Sequence, residues 1–204
     1  MQIISCPPGA RGADMVSTLT PAHATALRNA GLDYVVRYLG GLSAPEMHDI
    51  LASGLGCQIV TYSRAVGWCP TAEMGSADGA LDVLRLGELG VPEGMLVWID
   101  LEGAHSGSVA DVAGWLDARS KRLVDAGYIA GVYVGDSCVL NGAELYARPH
   151  VTRYWRAFNS GIPEPQCGWC QLQSQPNTML AGVLVDHDVV QADNEARVPL
   201  MLTA

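Results

Sequence analysis

The sequence lacks any run of lysine or arginine and any apolar stretch long enough to cross a membrane. It has 12 basic and 21 acidic residues, which give a formal net charge of −9. Nucleic acids and anionic membranes attract basic surfaces, so we expect neither to be the main partner. The longest apolar stretches are strand-sized, whereas a helix needs roughly 20 apolar residues to span a bilayer. A neutral partner such as a glycan fits this charge balance better.

A recognisable secretory signal is also missing. Residues 1–12 contain only Ile3 and Ile4 as an apolar nucleus and no basic segment before it. We therefore expect a soluble protein that is cytoplasmic on synthesis. This fits a phage lysis or virion protein that other components deliver to the cell wall, and it fits equally a protein exported by another route. The 204 residues, 49% of them apolar, predict one domain over 1–204 with a substantial core.

Two further motifs are absent or incomplete. Cys167 and Cys170 have the CxxC spacing of a redox pair or half a zinc site, but no second CxxC completes the site. A thioredoxin-like motif should open a helix, whereas this one leads into a strand-like segment at 171–173. No glycine-rich phosphate loop follows any strand. We expect buried or incidental cysteines, no cofactor and no bound metal.

The chain instead alternates strand-like and helical segments. Helices are predicted at 20–31, 43–54, 76–89, 108–127 and 142–147, from capping residues, prolines and terminal glycines. Such alternation is typical of a parallel sheet. The fold class is therefore α/β, an irregular (β/α)8-type barrel with helices mainly after the first five strands; an open doubly wound sheet is the alternative. The eight strands are predicted at 12–16, 33–39, 57–64, 95–102, 129–135, 151–158, 168–173 and 182–190.

Acidic residues stand at the ends of several of these strands. Asp100 and Glu102 follow the apolar run at 96–99, and their i, i+2 spacing places both on one face. Asp14 ends the first strand, while Asp186 and Asp188 lie in the eighth. In a closed barrel the first and eighth strands are neighbours, and catalytic groups collect at the C-terminal mouth. These acids are therefore candidates for a single acidic pocket.

Other side chains near the strand ends are candidates for binding a saccharide. Aromatic rings can stack on the apolar faces of pyranose rings, and an arginine or a further acid can bind polar substituents. His187 alternates with Asp186 and should face away from the pocket. The predicted substrate contacts are Tyr62, Tyr133, Trp155, Arg37 and Asp188.

Several short motifs, in this order, resemble glycoside hydrolase family 25 lysozymes. They are Gly12-Ala13-Asp14, Trp98-Ile99-Asp100-Leu101-Glu102, Gly131-Val132-Tyr133, Tyr154-Trp155-Arg156-Ala157 and Val185-Asp186. The chain is still more similar to the related glycoside hydrolase-like domains of largely unassigned activity. The segments shared with those domains are Val36-Arg37-Tyr38, Leu89-Gly90-Val91-Pro92 and Val185-Asp186-His187-Asp188.

This resemblance implies a barrel with helices after the first five strands, and cleavage of the peptidoglycan glycan at N-acetylmuramic acid. By position, Glu102 resembles the general acid and Asp100 the acid that stabilises or helps to form the intermediate, with Asp14 and Asp186 in support. The sequence departs from the lysozymes in the seventh strand, where Cys170-Gln171 replaces Trp-Gln. The segment that follows Asp186 also differs from the usual ending of the lysozymes.

Three functions remain open at this point. The first is a glycosidase that acts on peptidoglycan or a related amino-sugar glycan, in which one carboxyl group is protonated and another ionised. The second is a non-catalytic glycan-binding or structural protein that retains the pocket. The third is a metal-dependent phosphodiesterase, which would use basic groups such as Arg37 and Arg64 for the phosphate.

Overall fold

The computed structural model describes residues 1–62, 64–159 and 161–204, which form ten strands and five α-helices. The helices are α1 (Pro21–Asn29), α2 (Ala44–Ala52), α3 (Ala72–Glu88), α4 (Val109–Asp125) and α5 (Gly142–Tyr146). The strands are β1 (Gln2–Ser5), β2 (Arg11–Met15), β3 (Tyr34–Tyr38), β4 (Gly56–Val60), β5 (Leu96–Leu101), β6 (Ile129–Val134), β7 (Val151–Arg156), β8 (Gln171–Leu180), β9 (Val183–Val190) and β10 (Leu200–Thr203).

Strands β2 to β9 form a closed eight-stranded barrel, as the sequence predicted. Seven of them, β2 to β8, run parallel, and the pairing of Val60 with Trp98 between β4 and β5 closes the ring. The eighth strand is different, because β9 is antiparallel to both β8 and β2. Its mouth-side residues therefore come early in the strand, and this reversed strand is one of the irregularities of the barrel.

The five helices follow β2, β3, β4, β5 and β6, so the predicted placement of helices after the first five barrel strands is confirmed. Each starts at a capping side chain. For α4, Ser108 and Asp111 form a reciprocal capping box. Helix α3 begins four residues earlier than predicted, because the Thr71 hydroxyl accepts the Met74 N–H at 3.2 Å and caps the helix there.

Alternation along the strands divides the apolar residues into two layers. In β5, Leu96 and Trp98 point into the barrel, while Val97 and Ile99 pack outward against the helices. The inner layer is rich in aromatic rings, and the outer layer is mostly aliphatic. The strands buried on both faces explain the continuous apolar runs in the sequence. None of the described helices combines the length and apolarity that crossing a membrane requires.

Two short strands lie outside the barrel and were not predicted. Strands β1 and β10 pair antiparallel, with Gln2 opposite Thr203. Strand β10 joins the barrel sheet through Leu202 opposite Cys57, near the start of β4. The start of β4 is at the end of the barrel opposite the mouth, so this pair of strands extends the sheet there. Four residues per strand gave too short a pattern to distinguish from loop.

Candidate active site

The end of β5 carries two acidic side chains to the barrel mouth. Asp100 and Glu102 continue the inward row that begins with Leu96 and Trp98. The backbone N–H of Asp100 donates to the Thr61 hydroxyl at 3.2 Å, which ties the end of β5 to the end of β4. Asp100 itself is buried. The strand thus places one acid inside the mouth and the next at its opening.

Three neighbouring residues fix the position of Glu102. The Trp68 indole N–H donates to the Glu102 carbonyl oxygen at 2.8 Å. Gly103 then turns the chain with a φ of +65°, which glycine adopts without strain. Gly135, after β6, faces the Glu102 side chain so closely that an added Cβ would lie 2.4 Å from the Glu102 Cβ and 2.8 Å from its Oε2. Glycine at 135 therefore provides the space that Glu102 occupies.

The first and eighth barrel strands bring a second pair of acids together. Asp14 on β2 and Asp186 on β9 are direct cross-strand partners. The Gln173 side-chain amide lies between them, and its Nε2 donates to Asp14 Oδ2 at 3.0 Å and to Asp186 Oδ2 at 3.2 Å. The Asn177 backbone N–H donates to the other oxygen of Asp186 at 2.5 Å. One amide group thus holds two carboxyl groups side by side.

Closure of the barrel brings the two pairs to the same mouth, near the phenol of Tyr38. Burial raises the pKa of Tyr38, and the negative charges of Asp100, Asp14, Glu102 and Asp186 raise it further, in that order. All four carboxyl groups therefore lie within electrostatic reach of a single hydroxyl at the end of β3. The structure brings together the four residues that the sequence proposed as catalytic.

Among the four mouth acids, Asp14 has a pKa that the site raises. Burial raises the pKa of Asp14 to about 7, and the hydrogen bond from Gln173 opposes this rise. The charges of Asp186 and Glu102 then raise the pKa further. A carboxyl group that titrates near neutrality can hold or release a proton under physiological conditions. Asp14 can therefore exchange a proton near neutral pH.

The pKa of Asp14 predicts a pH dependence of stability. An unfolded aspartate titrates near pH 4, so between about pH 4 and 7 the folded state binds more protons than the unfolded state. The free energy of unfolding should therefore fall as the pH rises across this window. Asp14→Asn should flatten that fall, and chemical denaturation at a series of pH values measures it. Equal slopes in the two proteins would contradict the assignment.

Gln173→Leu should raise the pKa of Asp14, because it removes a donor that stabilises the ionised form. Carboxyl carbon NMR, followed as a function of pH, measures this shift without any substrate. Gln175→Leu is the matched control, since Gln175 is exposed on the same strand. If the Asp14 titration is unchanged in Gln173→Leu, the bridging amide has no influence on protonation.

Two predicted substrate contacts lie beneath the mouth instead. Trp155 is only 1% exposed and Asp188 only 3%. The Trp155 indole N–H donates to Asp188 Oδ1 at 3.0 Å, and burial raises the pKa of Asp188 well above its usual range. Tyr133, also buried, packs edge-on against Trp155 with ring centroids 4.5 Å apart. Trp155 and Asp188 therefore support the mouth from below, and the prediction that they contact a bound sugar needs correction. Tyr133 lies beside Glu102, since both side chains face Gly135, and its role as a substrate contact stays a prediction.

Arg37 also lies outside the pocket. Its side chain points from β3 toward α2, where Nε donates to Glu46 Oε1 at 2.8 Å and Nη1 donates to the Met15 carbonyl. The Arg37 side chain is 0% exposed and that of Glu46 is 2% exposed. Arg37 therefore cannot reach a ligand, and its interpretation as a substrate contact is replaced by a structural one. Inward and outward residues alternate along β3, and Arg37 is on the outward set.

A cleft of about 620 Å³ opens from Glu102 toward α3. Tyr62, which was predicted to bind substrate, lines it and is 67% exposed. One wall is the segment after β3, and the other is the face of α3 that carries positions 78, 81, 82 and 85. The lining residues are Val16, Tyr38, Leu39, Gly40, Gly41, Tyr62, Arg64, Asp78, Leu81, Asp82, Arg85, Glu102 and Arg119.

The described residues contain no group of three or more His, Cys, Asp or Glu side chains arranged to hold a metal ion. All six cysteines are free thiols, and five of them, including Cys167 and Cys170, are buried. Burial raises the pKa of Cys170 to about 12, so its thiol stays protonated at neutral pH.

The closed barrel with acids at its mouth defines a glycoside hydrolase-like domain. The chain belongs to the family described as Rv2525c-like, glycoside hydrolase-like domain, whose sequence model matches residues 25–193. A comparison with curated protein sequences gave no match.

Solved structures share this fold at low sequence identity. An uncharacterised protein from B. stearothermophilus is 17% identical with a TM-score of 0.71, covering 90% of this chain and 96% of that one. The Tat-secreted protein Rv2525c from Mycobacterium tuberculosis, in complex with L-tartrate, is 17% identical with a TM-score of 0.69, covering 89% and 95%. A bacterial lysozyme from Streptomyces coelicolor is 14% identical with a TM-score of 0.63, covering 90% and 92%.

Proposed function

We propose that the protein is a glycosidase that hydrolyses peptidoglycan or a related amino-sugar glycan by carboxyl-group catalysis. The observation that carries the proposal is the convergence of Asp14, Asp100, Glu102 and Asp186 on one barrel mouth beside an open cleft. Glycoside hydrolysis requires one carboxyl group to protonate the leaving oxygen and another to stabilise positive charge at the anomeric carbon. The mouth offers both within one space.

The positions of the acids suggest how these roles are divided. Glu102 is the general acid in this proposal, because it lines the cleft from which a glycosidic oxygen would approach. Asp100 lies deeper on the same row of β5, where its carboxylate would face the anomeric carbon. Asp14 and Asp186, held by Gln173, set the charge around the pair. Asp14 can take up a proton near neutral pH and so limit the negative charge of the mouth.

The shared fold supports an amino-sugar glycan as the substrate class. The Streptomyces coelicolor structure with which the chain shares its barrel is called a lysozyme. The cleft adds two features suited to a saccharide, an exposed aromatic ring at Tyr62 and several charged side chains that can donate and accept hydrogen bonds. Its volume is within the usual range for small-ligand sites.

The test is digestion of purified peptidoglycan, followed by reduction and identification of the new reducing ends by mass spectrometry. We expect reducing ends at N-acetylmuramic acid, as the resemblance to family 25 lysozymes implies. Binding of the wild-type protein to peptidoglycan without release of fragments would instead identify a glycan-binding protein that retains the pocket. Hydrolysis of a phosphodiester substrate only after addition of Mg²⁺ would support the phosphodiesterase alternative.

A further inference from the structure

Helix α3, which forms one wall of the cleft beside Glu102, packs closely on α4. At Gly75 an added Cβ would lie 2.2 Å from the carbonyl oxygen of Trp115, and at Gly79 it would lie 2.9 Å from that of Arg119. Glycine at these positions lets the two helix backbones approach each other. The face of α3 that carries positions 78, 81, 82 and 85 then lines the cleft, since these positions follow the helical repeat.

Two acids on this face are already neutralised by arginines. Arg119 makes a bidentate pair with Asp82, with nitrogen–oxygen distances of 2.7 and 3.0 Å, and both side chains are buried. Arg64 pairs with Asp78, which also accepts the Trp115 indole N–H at 3.0 Å. Within the described part of the cleft, each aspartate of α3 thus has its own cation.

Arg85 adds a third positive charge to this wall. Among the described residues it forms no ion pair within 4 Å, and it donates a long hydrogen bond of 3.5 Å to the Gly40 carbonyl oxygen. Its charge is close enough to lower the pKa of Asp82, although burial raises that pKa by more. The side chain is exposed and faces the cleft. With Asp82 already bonded to Arg119, this end of the cleft has a net positive charge.

The opposite end of the cleft is acidic. Glu102 lines it, and Asp14, Asp100 and Asp186 lie behind, all four within electrostatic reach of Tyr38. The cleft is therefore polarised, with negative charge at the barrel mouth and positive charge at Arg85. A ligand that fits this field is uncharged where it meets the acids and negatively charged at its far end.

We propose that the cleft is a subsite for a saccharide that carries a carboxylate, and that Arg85 binds this carboxylate. The inference rests on the proposed function and makes it more specific, because it names the charged part of the substrate. A guanidinium group donates two parallel hydrogen bonds to a carboxylate, which makes arginine the preferred partner. Tyr62 and Leu81, both exposed in the cleft, provide apolar surface for the ring between the two ends.

The experiment measures binding rather than cleavage. Two tetrasaccharides of alternating N-acetylglucosamine and N-acetylmuramic acid, one native and one with its carboxyl groups amidated, are titrated into Glu102→Gln protein by calorimetry. Arg85→Gln in this background should weaken binding of the native tetrasaccharide by about 10- to 100-fold, the value of a charged hydrogen bond. Affinity for the amidated tetrasaccharide should stay within about twofold, and Arg85→Lys should restore part of the loss.

Arg122→Gln is the matched control, because Arg122 is an exposed arginine of α4 that bonds Ser76 and does not line the cleft. Three results would overturn the inference. Arg85→Gln could leave the affinity for the native tetrasaccharide unchanged, it could weaken binding of both tetrasaccharides equally, or neither tetrasaccharide could bind. If the wild-type protein releases reducing ends but Arg85→Gln does not selectively weaken binding of the native tetrasaccharide, the proposed function stands and the subsite fails. If discrimination is present but wild-type protein cleaves nothing, the subsite stands and the glycosidase proposal fails.

Discussion

Glu102→Gln should reduce the rate of peptidoglycan cleavage by roughly 10²–10⁴-fold, the usual contribution of a general acid. Glutamine retains the shape and much of the hydrogen-bonding capacity of glutamate but cannot deliver the proton. Glycan affinity should change little, because the substitution removes an interaction that matters mainly in the transition state. Release of reducing ends from peptidoglycan and calorimetric binding of the glycan measure the two effects separately.

The Glu102→Gln protein should also melt at the same temperature as the wild type or slightly higher. Its substitution removes one of four crowded carboxyl groups, and strained active sites often become more stable when a functional group is lost. Glu88→Gln, at the exposed end of α3, is the control and should leave both rate and affinity unchanged. Undiminished cleavage by Glu102→Gln would exclude it as the acid, and Asp100 or Asp186 would be the next candidate.

Arg37→Met should lower the free energy of unfolding by about 3–5 kcal/mol, the usual cost of removing one partner from a buried ion pair. The substitution leaves the Glu46 carboxylate buried between β3 and α2 without its cation, although the Leu19 N–H still donates to it at 2.8 Å. Chemical denaturation measures the loss. The folded protein should bind glycan within a few-fold of wild type, because Arg37 does not reach the cleft.

A double-mutant cycle tests the pairing directly. Arg37→Met combined with Glu46→Leu replaces the ion pair with apolar side chains, and should cost less than the sum of the two single substitutions. The double variant still loses hydrogen bonds to the Met15 carbonyl and the Leu19 N–H, so full recovery is not expected. Additive costs would show that the two charges contribute independently. A selective loss of glycan binding would return Arg37 to the substrate site.

The sequence was sufficient to predict the barrel and the four mouth acids because both follow from simple periodicities. The apolar run that ends in Asp100 and Glu102 predicted a buried strand with two acids on its inner face, and the structure has this arrangement. Closure of the barrel then made Asp14 and Asp186 neighbours. The roles of the four acids remain a proposal, and only their common location was accessible to pattern and topology.

Other members of the site were assigned wrongly or missed, although some left a signal. The inward set of β3 is Tyr34, Val36 and Tyr38, so alternation already placed Arg37 outside and Tyr38 at the mouth. Gln173 lies two residues beyond Gln171 on the same strand face, but nothing in the sequence shows that its amide bridges two acids. That bridge depends on the register between β8 and β9, which is irregular there.

The depth of a residue in the barrel is harder to predict still. Asp186 and Asp188 both face inward, yet Asp186 is opposite Asp14 at the mouth and Asp188 is opposite Gly12 one layer below. A parallel eighth strand would have reversed this order. The antiparallel direction of β9 follows from the short connection between β8 and β9, which leaves no room for a crossover helix.

The pairing of β1 with β10 has a consequence for engineering the chain. It places Met1 and Ala204 beside each other at the end of the barrel opposite the mouth. There, Ile3 lies 3.7 Å from where a Cβ at Gly94, just before β5, would be. A purification tag or reporter fused next to Met1 or Ala204 would extend away from the mouth and leave the cleft accessible to large polymers. A short linker between the two ends would also permit circular permutation, with new ends cut at the exposed β8–β9 turn.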